Sequence, residues 1–149
     1  MEGTFVANRR RLIGLTQQEL SALSGVKQPL ISAIENGRRE ATPAVAAALR
    51  NALRIRPSVA LARRRDEVLV RVQANHGRAV HVFGSVARGE DTPDSDVDLV
   101  VQFEEDASLL DLLALEDELQ EVLTVPVDVI SAGGYGRVTA QANREKVPL

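Results

Sequence analysis

Asp96 and Asp98 stand two residues apart in Asp94-Ser95-Asp96-Val97-Asp98-Leu99, at the head of an apolar run that reads as a strand from Asp96 to Phe103. At the strand period of two, both side chains leave the same face, with Cα atoms about 6.5 Å apart. A further run, Val125-Pro126-Val127-Asp128-Val129-Ile130, puts Asp128 in an apolar strand, where a lone carboxylate is costly and calls for a cation or a donor. The chain has no cysteine and two histidines, so thiolate sites, disulfides and cysteine nucleophiles are excluded. Three oxygen donors without soft ligands suit Mg²⁺ or Mn²⁺ better than Zn²⁺.

The strand-like run Arg78-Ala79-Val80-His81-Val82-Phe83 ends at Gly84-Ser85, followed by a short helix start up to Gly89. Glycine permits close approach, and the amide and hydroxyl of Ser85 can bind phosphate oxygens. Two divalent ions bridging a nucleoside triphosphate would lower the pKa of an attacking hydroxyl and neutralise charge at the α-phosphate. The lysine-bearing phosphate loop of kinases is absent. Taken singly, an acid pair is as readily a solvated surface and Gly-Ser a common turn; it is their combination with Asp128 that points to a site. His76 and His81 read as structural. Tyr135, the sole tyrosine, lies in Gly133-Gly134-Tyr135-Gly136, which reads as a flexible connection, with self-modification of Tyr135 as the alternative.

The elements that must position these residues fall in one half of the chain. Residues 1–65 hold 12 Lys or Arg against 4 acids, net +8, whereas residues 66–149 hold 6 against 17, net −11. Such opposed fields predict two modules, 1–63 and 64–149, with the boundary near Arg63 and no long linker. In the acidic half, Leu109 to Val122 reads as a helix over the sheet, with Leu109, Leu112, Leu113, Glu116 and Leu119 as its stripe. Asp117, Glu118 and Glu121 make either an acidic rim for a basic partner or a solvated face. A last helix is expected within residues 140–149. No apolar run approaches the roughly 20 residues needed to cross a bilayer, so a cytoplasmic location without membrane attachment is the expectation. With 3% aromatics and no Trp, base stacking on single strands is a poor primary device.

The basic half reads as four helices. The first covers Val6 to Leu12 and ends at Gly14. Thr16-Gln17-Gln18-Glu19 is a capping box flanked by the Leu15/Leu20 staple, and the helix it starts carries Leu20 and Leu23 as buried stripe, with Ala22 for a close crossing. Gly25 makes a tight turn. Lys27 to Glu35 forms the next helix, with Pro29 in its first turn, Leu30, Ile31 and Ile34 inward, and Gln28 and Ser32 outward. Thr42-Pro43 restarts the chain into a helix over Ala44 to Leu53.

Short helix, glycine turn, short helix is the arrangement that places a second helix in the major groove. The stretch GLTQQELSALSGVKQPLISAIENGRREATPAVAAAL closely resembles the repressor-type helix-turn-helix family of phage regulators and antitoxins. The resemblance implies that Gln17 sits near a phosphate and that Gln28, Pro29 and Ser32 face the groove. Gln28 can pair with adenine through two bonds, while Arg10, Lys27, Arg38 and Arg39 are assigned to phosphates. Operator binding implies a two-fold dimer.

The second half resembles the minimal nucleotidyltransferases of the DNA-polymerase-β-like superfamily, through Gly84-Ser85-Val86-Ala87-Arg88-Gly89-Glu90, then Ser95-Asp96-Val97-Asp98-Leu99, then Asp128. The implied fold is an all-α helix-turn-helix domain followed by a small α/β (α+β) domain with a mixed sheet. The resemblance implies that Asp96 and Asp98 hold both ions, that Asp128 completes the catalytic ion and helps activate the acceptor, that Gly84 and Ser85 hold the β- or γ-phosphate, and that Arg88 is a phosphate contact or local support. It further implies an antitoxin that transfers AMP from ATP to a tyrosine of a HEPN-type toxin and restrains its own operon. The oligomer is then a homodimer or a toxin–antitoxin hetero-oligomer. Two other readings stay open: a small-molecule nucleotidyltransferase, for which no added lid is visible, and a non-catalytic repressor whose acidic domain senses a ligand or serves as a scaffold.

Overall fold

The computed structural model describes residues 1–134 and 137–149, with the side chain of Val138 excepted; Tyr135 lies outside the described residues. The chain divides into two compact units, Met1–Ile55 and Arg56–Leu149.

The first unit is helical: α1 (Gly3–Ile13), α2 (Gln17–Ser24), α3 (Gln28–Glu35) and α4 (Pro43–Ala52). Its punctuation is local chemistry. Thr16 and Glu19 exchange both bonds of the capping box, Gly25 closes α2 at φ 73°, Pro29 occupies the first turn of α3, and Thr42 caps α4 ahead of Pro43. Val6, Leu20, Val26, Ile31, Ile34, Leu49 and Leu53 form the core.

Two expectations for α2 are corrected. Leu23 is 64% exposed, because an eight-residue helix presents its inner face chiefly through Leu20, which is fully buried. Ala22 is also exposed. The close crossing is made instead by Gly3, where an added Cβ would strike the carbonyl of Ile34 on α3.

The second unit holds α5 (Pro57–Arg63), α6 (Arg65–Ala74), β1 (Gly77–Phe83), α7 (Gly84–Arg88), β2 (Val97–Phe103), α8 (Leu109–Leu123), β3 (Val127–Ser131), α9 (Arg137–Glu145) and β4 (Val147–Pro148). Pro57 occupies the first turn of α5. The compact units part eight residues ahead of Arg63, because α5 packs on α6 and α8.

The strand order is β3-β2-β1-β4, with β2 parallel to β3 and antiparallel to β1, so the sheet is mixed as the expected fold requires. The expected last helix is present as α9, but it ends at Glu145, and the short β4 beyond it pairs Val147 with Val82 and Pro148 with His81, at a sheet edge where proline is tolerated.

One face of the sheet carries α6 and α8, which pack on β1 and β3 and on each other. Val97, Leu99 and Val101 are fully buried beneath them, and a Cβ at Gly77 would meet both Val72 of α6 and Val101. Strand alternation therefore turns Asp98 to the opposite face. In α8 the buried stripe is Leu115, Leu119 and Leu123, while Leu109 and Leu113 are 70% and 47% exposed. Periodicity permitted either frame, and contact with β3 selected the later one.

Candidate nucleotide and DNA sites

Asp98 and Asp128 are register partners in the parallel β2–β3 pair, and Asp96 immediately precedes β2 rather than lying within it. The amide of Val97 donates to the Pro126 carbonyl at 2.9 Å, which extends the ladder and holds Asp96 beside the other two. One carboxylate oxygen from each of Asp96, Asp98 and Asp128 lies within 4.8 Å of the others. Phe83, the last residue of β1, is the antiparallel partner of Asp98, so the Gly84-Ser85 turn opens beside the same carboxylates.

Gly84 has φ 69°, and an added Cβ would collide with Asp98 Oδ2. Its replacement thus meets both left-handed strain and a carboxylate. Ser85 follows in the first turn of α7.

Like charges without a compensating cation leave a chemical trace. The carboxyl of half-buried Asp98 is pushed up to about 6, first by burial, then by the charges of Asp96 and Asp128, with Arg88 acting in the opposite sense. Asp128 is raised by burial, by Asp96 through charge and a hydrogen bond, and by Glu116. Three converging hard oxygen donors, with the carboxyls of Asp98 and Asp128 both raised, fit a divalent cation.

Arg88 does not stand free for phosphate: its Nε donates to Glu90 at 2.9 Å, and its Nη1 lies 3.6 Å from Glu145 on α9. Both contacts tie the Arg88 guanidinium to its own surroundings. Two further residues, not expected from the sequence, shape the site. Glu116 Oε2 accepts from the Val129 amide at 2.9 Å, on the outer edge of β3 next to Asp128. The Asp91 side chain is fully buried and accepts from Arg56 Nη2 and from the Ser58 amide, both at 2.8 Å. It thereby anchors the loop between Gly84-Ser85 and the aspartates. Asp91 stands in the acid-rich run Glu90-Asp91-Thr92-Pro93-Asp94-Ser95-Asp96, which is visible in the sequence, but its partner 35 residues upstream is not.

In the helical unit, three of the residues expected to meet DNA, Arg10, Gln17 and Gln28, form a hydrogen-bonded chain through Glu35. Arg10 donates through Nε and Nη2 to Glu35 at 2.7 and 2.9 Å, and through Nη1 to the Leu15 carbonyl at 2.8 Å. Its side chain is 11% exposed and that of Glu35 is 5% exposed, so Arg10 serves the fold. Gln17 Nε2 donates to Glu35 at 2.9 Å, and Gln28 Nε2 donates to Gln17 Oε1 at 2.8 Å. Burial raises the Glu35 carboxyl, but the bonds from Arg10 and Gln17 and the charges of Arg10 and Arg11 outweigh it, so the net shift is downward. Lys27, Pro29, Arg38 and Arg39 are exposed, Ser32 is half-buried, and Asn36 donates to the Ser32 carbonyl at 2.8 Å.

No described helix is long and apolar enough to cross a membrane.

Residues 65–147 match the nucleotidyltransferase domain family, and residues 6–59 match a helix-turn-helix family. Among curated proteins, a candidate protein adenylyltransferase of Methanocaldococcus jannaschii is 44% identical over 64 residues, 42% of this chain and 69% of that one. A protein adenylyltransferase, MntA, of Thermococcus cleftensis is 49% identical over 53 residues, 36% of this chain and 54% of that one. The chain thus spans between about half and two thirds of the length of these relatives.

A solved candidate minimal nucleotidyltransferase superposes with a TM-score of 0.55 at 44% identity, covering 62% of this chain and 95% of that one. A toxin–antitoxin complex with AMP-PNP shares the fold, with a TM-score of 0.50 at 19% identity over 56% of this chain and 69% of that one. The aspartates of β2 and β3, the glycine turn they enclose and these matches converge: the chain belongs to the nucleotidyltransferase domain family and carries a helix-turn-helix domain at its N-terminus.

Proposed function

We propose that this chain is a DNA-binding antitoxin that transfers AMP from ATP to a tyrosine hydroxyl of a partner HEPN-type toxin and represses its own operon. It acts as two modules, as the charge division near Arg63 implies. The reading rests above all on one observation: carboxylate oxygens of Asp96, Asp98 and Asp128 approach within 4.8 Å of one another. In the transfer, the acceptor oxygen bonds to the α-phosphorus, the bond to the β-phosphate oxygen breaks, and pyrophosphate leaves.

Asp96 and Asp98 would hold Mg²⁺ or Mn²⁺ together with Asp128, and the bound cation would supply positive charge against the triphosphate. Gly84 leaves room beside Asp98, and the Ser85 hydroxyl and amide bind a terminal phosphate. Asp128, exposed and raised in pKa, takes the proton of the acceptor hydroxyl. Arg88 keeps Glu90 and the α9 end in place. The names of the adenylyltransferase relatives support the AMP assignment.

The helix-turn-helix unit directs Gln28, Pro29 and Ser32 at base edges, with Gln17 as the support of Gln28. Lys27, Arg38 and Arg39 meet phosphates. A two-fold dimer, alone or within a toxin complex, would read the operator. The chain is purified with the product of the neighbouring gene and incubated with ATP and Mg²⁺, and the intact mass of that product is measured. Gain of one or more AMP units, abolished by Asp96→Asn with Asp98→Asn, is the expected result; an unchanged mass overturns the transferase reading.

A further inference from the structure

The start of α8 exposes an apolar face that its own unit leaves uncovered. Leu109 is 70%, Leu110 75% and Leu113 47% exposed, although the same helix fully buries Leu115, Leu119 and Leu123. Leu110, Leu113 and Asp117 follow the spacing of one helical face. Beside them lies an open groove of about 530 Å³ that includes Phe103, Ala107, Leu112 and Ala132. A contiguous apolar surface on a small unit marks a place of association.

The chemistry around it selects the occupant. Glu104 lines the groove, Glu105 and Asp106 follow it in the turn to Ala107, and Asp117 continues the helical face of Leu110 and Leu113; all four are exposed. Between Arg88 and Arg137 the chain has no Lys or Arg. A second copy of this face would set these acids against each other, and a polyanion or an anionic membrane would be repelled. Of Asp117, Glu118 and Glu121, expected as either an acidic rim or a solvated face, Glu118 turns inward, within 3.2 Å of Asn75 and 3.6 Å of Arg71.

The groove is also well placed for an acceptor protein. Phe103 ends β2, five residues after Asp98, so the groove lies about 17 Å along the strand from the carboxylates. A protein seated there leaves the metal and nucleotide positions open.

We propose that Leu109, Leu110 and Leu113, with the Phe103 groove, form the docking face for a protein partner that presents apolar side chains ringed by Lys and Arg. This face holds the acceptor protein whose modification is proposed above, and it rests on that reading for the partner's identity only. Docking sets the affinity for the acceptor and leaves the phosphate chemistry to the aspartates.

The test uses the full chain and the purified product of the neighbouring gene. Leu109→Ser, Leu110→Ser and Leu113→Ser together are expected to weaken their association by about 30-fold or more. KM for that product rises in parallel, while kcat stays within about twofold and Mn²⁺ affinity is unchanged. Glu105→Lys with Asp117→Lys weakens association by about 10-fold and flattens its salt dependence. Should the triple variant lose helicity, Leu110→Ser alone is measured, with about a 5-fold loss expected.

Leucine-dependent association without AMP transfer supports the docking face and contradicts the transferase reading. Full-affinity association of the triple variant, no association of the unaltered chain, or self-association of the chain that the leucine variants abolish would each overturn the docking face.

Discussion

Asp98 and Asp128 are direct register partners across the parallel β2–β3 pair, so two carboxylates that are thirty positions apart in sequence share one rung of the sheet. Neighbouring parallel strands lie about 4.8 Å apart, which is too close for two ionised groups to be indifferent to each other. The arrangement is unfavourable to the empty fold and favourable to a bound cation.

That conflict predicts a trade between stability and activity. The Asp98 carboxyl titrates at about 6, above its unfolded value. Protonation therefore stabilises the metal-free fold: this contribution is complete below the unfolded pKa of about 4 and is lost as pH rises through 6. Asp98→Asn is expected to raise metal-free stability at pH 7.5 by about 1 kcal/mol, the shift being partly screened on its open side. The gain vanishes near pH 4 in urea titrations, and nucleotide transfer falls by at least about 10²-fold.

Gly84→Ala tests the cradle. The substitution puts a Cβ at φ 69° against Asp98 Oδ2, so about 1–2 kcal/mol of stability is lost and Asp98 is displaced. Divalent-ion affinity is expected to drop by about 10-fold or more, read by calorimetric titration. Gly89→Ala provides the contrast: φ is 71° there but nothing lies within 4 Å of the added Cβ, so stability falls while ion affinity holds.

The fold and the site were legible where the signal is short-range. Thr16/Glu19, Thr42-Pro43 and Gly25 fixed helix ends because their chemistry acts within four residues, and Asp96 and Asp98 converge as their spacing of two implies, although Asp96 lies one residue ahead of β2. Leu109 and Leu113 were misread as buried because α8 has apolar residues on more than one side, and only packing on β3 chooses among them. Arg10–Glu35 and Arg56–Asp91 join positions 25 and 35 residues apart. Each appears in the sequence as two ordinary charged residues, and nothing local pairs them. The two-residue β4 lacks the length for an alternation to register.

The Arg56–Asp91 clamp makes a separate prediction. Burial pushes the Asp91 carboxyl up, but bonds from the Ser58 backbone and side chain and from Arg56 more than offset it, and its pKa is lowered. Its stabilising effect is therefore present above the ordinary carboxylate range and is lost as pH falls through the lowered value. Arg56→Ala, which leaves a buried carboxylate short of partners, is expected to cost about 2–3 kcal/mol at pH 7 and distinctly less near pH 3. Chemical denaturation at the two values checks this.

The proposed DNA recognition separates into orientation and charge. Gln28→Ala is expected to weaken cognate operator binding by about 1–3 kcal/mol and to relax base preference. Gln17→Ala, which removes the partner holding Gln28, produces a smaller loss of the same kind. Arg38→Ala instead lowers affinity for all duplexes and reduces the slope of log K against log salt by about 1 per contact. Fluorescence anisotropy on operator and scrambled duplexes at several salt concentrations distinguishes the two patterns.

Asp96, Asp98 and Asp128 are proposed to hold a divalent cation jointly at the Gly84-Ser85 turn. Electron paramagnetic resonance of Mn²⁺, titrated into the full chain with a non-hydrolysable ATP analogue, measures this directly. Stoichiometric retention of Mn²⁺, lost in Asp96→Asn with Asp98→Asn and weakened by Asp128→Asn, is the predicted result. Equal retention of Mn²⁺ by the unaltered chain and by all these variants would contradict it.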